Sequence, residues 1–227
     1  MRPSNALWQT VKVCAIALAC ALGFNTKSQA QDVFPSSVDI RMVPGATPDK
    51  LLIQVYLHST APFGGIFSAL TVTIRYPVAS GSALGAGTSF CPAWSAFPPS
   101  SVVTNNGIAY RTYNGFGTNR LSDSEFDGGC GMSIPQETWF TVTTIPVAPG
   151  TCSDFTLGND AYTHTWNRDY YLSMGGQDLT GVVVSGAVTA GNCPVDCLDV
   201  PCGSATIGSA CNDGNPNTGN DVYNANC

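Results

Sequence analysis

Basic residues are scarce in this sequence of 227 residues, which has nine Lys and Arg against 15 Asp and Glu. Three of the nine, Arg2, Lys12 and Lys27, lie within the first 30 residues, so the rest of the chain has a net charge near −9. Such a surface repels nucleic acid and anionic lipid, because both are themselves negative. The composition therefore excludes a nucleic-acid-binding protein and a protein held to anionic membranes by charge.

Helical periodicity is also absent, since no segment sustains it for more than about one turn. From Val38 to Val188 the chain has short alternating runs separated by Gly, Pro, Ser and Asn. In ALTVTIRYPV, apolar residues at positions 70, 72, 74 and 76 alternate with polar residues at 71, 73 and 75. Alternation with β-branched residues is typical of strands. About seven to nine such runs predict an all-β fold, a two-layer antiparallel β-sandwich of the immunoglobulin-like kind.

Long hydrophobic runs are missing too, and a bilayer span needs about 20 apolar residues. The run VCAIALACALGF has 12 residues and lies between a basic start and the small residues SQA. This arrangement predicts a cleavable export signal over residues 1–30, with cleavage after Ala30. The alternative is lipidation of Cys20, but the usual leucine three positions upstream is absent. We therefore expect a secreted or cell-surface protein without a membrane span.

Eight of the ten cysteines remain once the signal is removed, and an even count in an exported chain predicts disulfides. A Cys91–Cys130 bridge would tie down two long connections, and Cys152 would then pair with Cys193, although four cysteines allow other pairings. The alternative is zinc at the Cys193-x3-Cys197-x4-Cys202 spacing, which the oxidising compartment and the lack of a nearby histidine disfavour. The eight are Cys91, Cys130, Cys152, Cys193, Cys197, Cys202, Cys211 and Cys227.

Large apolar side chains become rare after residue 192, so that segment cannot build a core of its own. The sequence therefore predicts three parts. Residues 1–30 are the signal peptide, residues 31–192 are the β-sandwich domain, and residues 193–227 are a small disulfide-rich appendage.

The tail ends in CNDGNPNTGNDVYNANC, where oxygen-bearing side chains recur at nearly every second position. Asp213, Asn215, Asn217 and Asp221 follow a D-x-N-x-N-x-x-x-D pattern, and Ca²⁺ takes about six to eight oxygen ligands. The pattern departs from an EF-hand, because Gly219 is one place late and no glutamate closes the loop. The alternative is a run of Asx-turns without metal, in which the side chains bond their own backbone.

Side chains that carry catalysis are few: the chain has two glutamates and two histidines, His58 and His164. No nucleophile elbow, zinc-protease helix or phosphate loop occurs in the sequence, which predicts that the protein is not an enzyme. The loop SDSEFDGG places Asp123, Glu125 and Asp127 at alternating positions. These carboxylates would suit either a metal ion or a solvated turn.

Aromatic residues cluster in NDAYTHTWNRDYY and in the long connection that contains Trp94. Flat exposed rings stack on sugars, and Trp94 and Trp166 are the candidates for that role. The alternative is that such rings fill the core or cover its open end.

Two stretches, VDIRMVPGATPDKLLIQVYLHSTAPFGGIFSALTVTIRYP and GNDAYTHTWNRDYYLSMGGQDLTGVV, resemble a cohesin-like β-sandwich domain of secreted and surface proteins of the Bacteroidota. The tail is similar to a Cys-rich repeat of those proteins, C-D-D-G-N-P-N-T-x-N-D-V-x-x-x-C. In them the repeat continues past its last cysteine into further modules, so the resemblance implies a truncated piece of a longer protein. It also implies a cohesin-like module without catalytic activity.

Together these features predict an exported, non-catalytic binding or structural module, used for adhesion, display or spacing at the cell surface. Its partner would be a protein or a glycan. The alternative function is a carbohydrate-binding module or a fragment of a carbohydrate-active enzyme. No motif requires a cofactor, and calcium is the one candidate ligand.

The tail loop should be ordered by its disulfide more than by calcium. A Cys211–Cys227 bridge closes a loop of 17 residues, which stabilises by about 3 kcal/mol in the chain-entropy model. A calcium ion present at its own Kd adds only about 0.4 kcal/mol. Amide exchange of residues 212–226 should therefore stay slow in chelator and accelerate in reductant. Loss of protection in chelator alone would make calcium the organiser of the loop.

Overall fold

The computed structural model describes residues 32–91, 94, 99–148, 152–184, 186–191, 207–210 and 222–223. The chain divides into two units, Met1–Gln31 and Asp32–Cys227. The first unit, with the predicted export signal, lies outside the described residues, and so do the predicted calcium ligands and the five cysteines after residue 192. The boundary near residue 192 stays a prediction for the same reason. Within the described ranges, no helix is long and apolar enough to cross a bilayer.

Thirteen strands and one short helix form the regular structure of the described residues, with 3₁₀ turns at Val78–Ser80 and Glu125–Asp127. The strands outnumber the predicted runs, because five strands have only two or three residues: β4 and β5 in the first long connection, and β6, β11 and β13 elsewhere. The elements are β1 (Ser37–Pro44), β2 (Lys50–His58), β3 (Phe67–Pro77), β4 (Ala83–Leu84), β5 (Thr88–Ser89), β6 (Val103–Asn105), β7 (Ile108–Phe116), β8 (Trp139–Ala148), β9 (Ser153–Leu157), α1 (Ala161–Thr165), β10 (Tyr171–Met174), β11 (Gln177–Asp178), β12 (Thr180–Val183) and β13 (Val188–Ala190).

The strands form the two layers of a β-sandwich. The first sheet has six strands in the order β12-β1-β2-β8-β4, with β5 also on β8. The second sheet has seven strands in the order β11-β10-β3-β7-β6, with β9 on β3 and β13 on β9. This confirms the predicted two-layer sandwich. One pair, β1 with β12, is parallel, because the chain crosses to the edge of the first sheet after β10 and β11 of the second.

The core lies between the sheets and follows from the alternation read in the sequence. In β2, residues 51, 53, 55 and 57 are buried, whereas the residues between them are only half-buried. The inward residues of both sheets form one cluster. Each fully buried Leu, Ile or Val contributes about 1.5–3 kcal/mol. In β3 the pattern breaks at Thr73, which points outward and is buried nonetheless.

Cys91 and Cys130 form a disulfide, with their Cα atoms 5.6 Å apart, as predicted. The bridge joins the two long connections of the domain. Cys152 is also disulfide-bonded, and its predicted partner, Cys193, lies outside the described residues.

Trp94 belongs to the core and not to a sugar platform. Its side chain is 2% exposed, its ring stacks on Phe67 with centroids 4.6 Å apart, and its Nε1 donates to the Phe67 carbonyl over 2.8 Å. Gly117 makes room for the ring, since a Cβ there would collide with it. The prediction that Trp94 stacks on sugars is therefore wrong. Although Trp94 lies in a connection beside a disulfide, burial of the large apolar surface of its ring stabilises the core.

Replacing both Cys91 and Cys130 with alanine should lower the free energy of unfolding substantially. The bridge links residues 39 apart, and removing a bridge of that span costs about 4 kcal/mol in the chain-entropy model. Urea unfolding of the wild type, the double variant and the reduced wild type would measure this. The reduced wild type also loses the bridge of Cys152 and should unfold at least as easily as the double variant, and a loss below about 1 kcal/mol in the double variant would contradict the expectation.

Candidate functional site

The outward rows of the two sheets are the surfaces on which a site can form, because the inward rows are occupied by the core. The two outer faces differ in what lies over them. The segment that contains α1 lies over part of the second sheet, and other outward side chains of that face, such as Phe116, are exposed.

The covering segment, residues 158–169, lies over β3 and β7. The Thr73 hydroxyl donates to the Arg168 carbonyl over 2.7 Å, and Thr73 also pairs with the hydroxyl of Thr112. The rings of Tyr110 and Tyr162 pack 4.5 Å apart. These contacts explain why outward residues of β3 and β7 are buried. We call this segment the clip.

Asp160 fastens the clip to the sheet. It is the N-cap of α1 and forms a capping box with Thr163. Its Oδ2 accepts a hydrogen bond from Arg75 Nη1 over 2.6 Å and from the Tyr110 hydroxyl over 3.0 Å. Burial alone would raise the pKa of Asp160, but the hydrogen bonds from Thr163, Tyr110 and Arg75 outweigh it and hold the pKa below its ordinary value.

Beyond the clip, the same face carries exposed aromatic rings. Tyr171 on β10, Thr71 on β3 and Asn114 on β7 form one row across three paired strands. Phe116 lies in the adjoining row of β7 and is 57% exposed, and Tyr171 is 40% exposed. Trp166, the C-cap of α1, is 60% exposed and belongs to the clip, which lies over the same face of the sheet. We call these five residues the aromatic patch.

The outer face of the first sheet carries a different arrangement, in which polar and aromatic side chains bond one another. Arg41 on β1 lies over the ring of Trp139 on β8 and donates to Gln54 on β2. Gln54 donates in turn to Thr141 on β8. Tyr56 packs on Trp139 with centroids 5.3 Å apart. We call Arg41, Gln54, Tyr56, Trp139 and Thr141 the polar ladder.

Each histidine pairs with a carboxylate. His58 Nε2 lies 2.8 Å from Asp39 Oδ2, and His164 Nδ1 lies 2.8 Å from Asp169 Oδ2. In the part of the chain that the structure describes, no serine, threonine or cysteine side chain is hydrogen-bonded to either imidazole. The pairs thus hold the two rings in place, and neither is linked to a nucleophile.

The acidic loop around residues 123–127 is a capped turn. Ser124 caps the 3₁₀ turn and donates to Asp127 Oδ2 over 2.6 Å, while Asp123 lies 4.0 Å from Arg120. No group of three or more His, Cys, Asp and Glu among the described residues is placed to hold a metal ion. Of the two alternatives for this loop, the structure has the turn.

Sequence reasoning found Trp166 but neither the aromatic patch nor the polar ladder. Thr71 and Asn114 are 43 residues apart, and Gln54 and Thr141 are 87 residues apart, so both surfaces depend on strand pairing. The available signal was the outward row of each alternating strand, where aromatic residues stand among threonines. The alternation indicates which residues face outward, but it does not indicate which residues of the next strand lie beside them.

No family model and no curated protein matches this sequence. Solved structures with a similar fold include cohesin domains. One is the OlpC cohesin in a cohesin–dockerin complex from Clostridium thermocellum, at 10% identity and a TM-score of 0.38, over 71% of this chain and 97% of that one. Another is the third ScaC cohesin of Acetivibrio cellulolyticus with the ScaB dockerin, at 15% identity and 0.33, over 67% and 95%. A third is the seventh ScaB type I cohesin of Pseudobacteroides cellulosolvens, at 10% and 0.34, over 70% and 96%. At these values the similarity carries no residue role over to this chain.

Asp160→Asn should loosen the clip in a pH-dependent way. At neutral pH the variant should lose about 1 kcal/mol of unfolding free energy, since Arg75 loses its carboxylate while asparagine still caps the helix. A folded-state pKa below the ordinary 3.8 means that the carboxylate stabilises fully above that value and ceases to do so as pH falls through the folded pKa. The difference between wild type and variant should therefore shrink in acid.

Urea unfolding across this pH range would test the expectation. Glu125→Gln is the matched control, because Glu125 lies exposed in the 3₁₀ turn and should show no such dependence. A difference that stays constant down to acid pH would show that Asp160 does not act through its charge.

Proposed function

We propose that this protein is an exported, non-catalytic binding module that takes a protein partner on the aromatic patch. The observation that carries the proposal is that three exposed rings lie over one outer face, Phe116 and Tyr171 on the sheet and Trp166 on the clip. Exposed apolar patches mark interaction sites, and aromatic residues are enriched where binding energy concentrates.

The centre of the patch supplies polar contacts for such a partner. The Thr71 hydroxyl donates to Asn114 Oδ1 over 2.8 Å, which fixes the orientation of the exposed amide. The Nδ2 of Asn114 is then directed away from Thr71 and is available to donate. A polar group such as Asn114 between apolar rings suits a protein partner. Hydrogen bonds to the polar group fix the position of the partner, and burial of the rings supplies the affinity.

The patch is held rigid by its position in the sheet. β3 pairs with β7 from Ala69 to Pro77 and with β10 on its other side. The clip borders one end, pinned by Asp160. A surface already ordered before contact loses little entropy on binding, which favours a binding function over a purely spacing one.

The Cys91–Cys130 disulfide supports export, since such bonds form and persist in oxidising compartments. With the predicted signal over residues 1–30, it favours a role outside the cell, in adhesion or display at the surface.

A carbohydrate-binding module is the second candidate, and Trp166 is the observation that favours it. Its ring is the most exposed of the three, and a sugar ring stacks on such a face. The large side chains of Phe116 and Tyr171 favour the protein partner, because they extend the apolar surface over two further strands.

A photo-crosslinking amino acid in place of Asn114 should capture a protein from the exported fraction of the source organism. The same amino acid at position 126, which is exposed and lies in neither the aromatic patch nor the polar ladder, should not form that adduct. Phe116→Asp should reduce the adduct at position 114 by about tenfold or more, because it removes apolar contact and adds a buried charge. Phe126→Asp is the matched control, since Phe126 is exposed outside the patch and should leave the adduct unchanged.

Equal adducts from positions 114 and 126, or an adduct insensitive to Phe116→Asp, would overturn the assignment of the patch. A glycan array separates the second candidate. Glycan binding that is lost in Trp166→Ala and kept in Phe116→Asp would make the protein a carbohydrate-binding module.

A further inference from the structure

The guanidinium of Arg41 is held in place from two directions. Its Nε donates to Gln54 Oε1 over 2.8 Å, and its Cζ lies 4.2 Å from the centre of the Trp139 ring. Gln54 is itself fixed, because its Nε2 donates to Thr141 Oγ1 over 3.1 Å. The plane of the guanidinium is thus set before any ligand arrives.

What Arg41 lacks is a carboxylate. Among the described residues its Nη groups have no hydrogen-bond or ion-pair acceptor, whereas Arg75 is paired with Asp160 and Arg120 with Asp32. A guanidinium presents parallel N–H donors that match the two oxygens of a carboxylate. Because the Arg41 guanidinium is held in one orientation and its Nη donors are unpaired among the described residues, it is suited to bind a carboxylate of another molecule.

The two carboxylates on the same face are already engaged. Asp39 accepts hydrogen bonds from His58 Nε2 and from the backbone N–H of Val182. Glu137 accepts from the Tyr56 hydroxyl over 2.7 Å and from the backbone N–H of Ser59. Their oxygens are therefore directed to other donors and not to Arg41.

A groove of about 340 Å³ adjoins the ladder at Thr141 and continues along β8. Among the described residues of its lining, Lys50 is the one that carries a charge, and the neighbouring Asp49 is not part of that lining. Hydroxyl groups form most of the rest, and the lining residues are Lys50, Thr88, Ser89, Phe90, Thr141, Thr143, Thr144 and Pro146. In an acidic chain, this groove has a positive lining.

The spacing of the two cations suits an extended strand. Arg41 pairs with Gln54 across β1 and β2, and Lys50 lies four residues from Gln54 on β2. Four residues of strand put the Cα atoms of Lys50 and Gln54 about 13 Å apart, and acidic side chains at positions i and i+4 of an extended segment have a comparable separation.

We infer that the polar ladder and its groove form a second binding surface, which takes an extended acidic segment of a protein. One carboxylate of the segment pairs with Arg41, a second reaches Lys50, and the backbone between them lies along the hydroxyl groups of β8. A sugar is disfavoured, because Arg41 already covers a face of the Trp139 ring on which it would stack. The surface lies on the sheet opposite the aromatic patch and is independent of it.

The test uses side-chain NMR signals that report on the ladder itself. The probe is a capped peptide, Glu-Thr-Val-Thr-Glu, titrated into ¹⁵N-labelled protein and compared with the same peptide carrying Gln for both Glu. The Arg41 Nε–H, Gln54 amide and Trp139 indole signals should shift saturably with the Glu peptide. The Gln peptide should bind at least about tenfold more weakly, because it cannot form the charged pair.

Three variants complete the experiment. Arg41→Gln should abolish the shifts, and Arg41→Lys should weaken binding by about tenfold, since lysine keeps the charge but lacks the fork. Ser101→Asp is the matched control: it changes net charge as Arg41→Gln does, but at an exposed site before β6 of the other sheet, and should leave binding unchanged. Phe116→Asp should also bind the peptide normally, which separates this surface from the aromatic patch.

Equal binding of the two peptides, unchanged binding in Arg41→Gln, or no shift of the ladder signals would overturn the inference. A neutral oligosaccharide that shifts the Trp139 indole where the Glu peptide does not would also overturn it, in favour of a glycan surface.

Discussion

A β-sandwich folds only if both sheets direct apolar side chains towards each other. The two surface arrangements of this protein, the aromatic patch and the polar ladder, consist of side chains that the same strands direct outward. In β2 the residues at positions 51, 53, 55 and 57 join the core, so Gln54 and Tyr56 must face outward. The same packing that excludes water from the core thus fixes the register of the outer side chains. Both proposed surfaces derive their rigidity from this constraint, because neither could shift without moving a buried strand.

The two outer faces use that rigidity differently. On the second sheet, Asp160 holds the clip over Thr73 and Thr112, which buries these polar side chains and leaves Phe116 and Tyr171 exposed beyond it. On the first sheet, the outward side chains bond one another across β1, β2 and β8, as Arg41 and Gln54 do. One face therefore presents apolar area beside a polar centre, and the other presents oriented donors. Complementary surfaces of different chemistry select different partners.

The sequence predicted what depends on local pattern. Alternation indicated the strands and the core rows, and the position of Cys91 and Cys130 in two long connections predicted their disulfide. It did not predict contacts that depend on how distant strands pair: Arg75 and Asp160 are 85 residues apart. Trp94 was misjudged for a related reason, since the exposure of a loop ring depends on whether a residue such as Gly117 leaves space beneath it.

The net charge of the chain and the local charge of Arg41 act over different distances. At physiological ionic strength the field of exposed charges is screened within about 8 Å, so the acidic surface opposes the approach of an acidic segment more than it weakens the contact once formed. At contact, a guanidinium already fixed by Trp139 and Gln54 loses little freedom on pairing. Two of the other arginines, Arg75 and Arg120, are paired with internal carboxylates, so they compete less for the carboxylates of the segment.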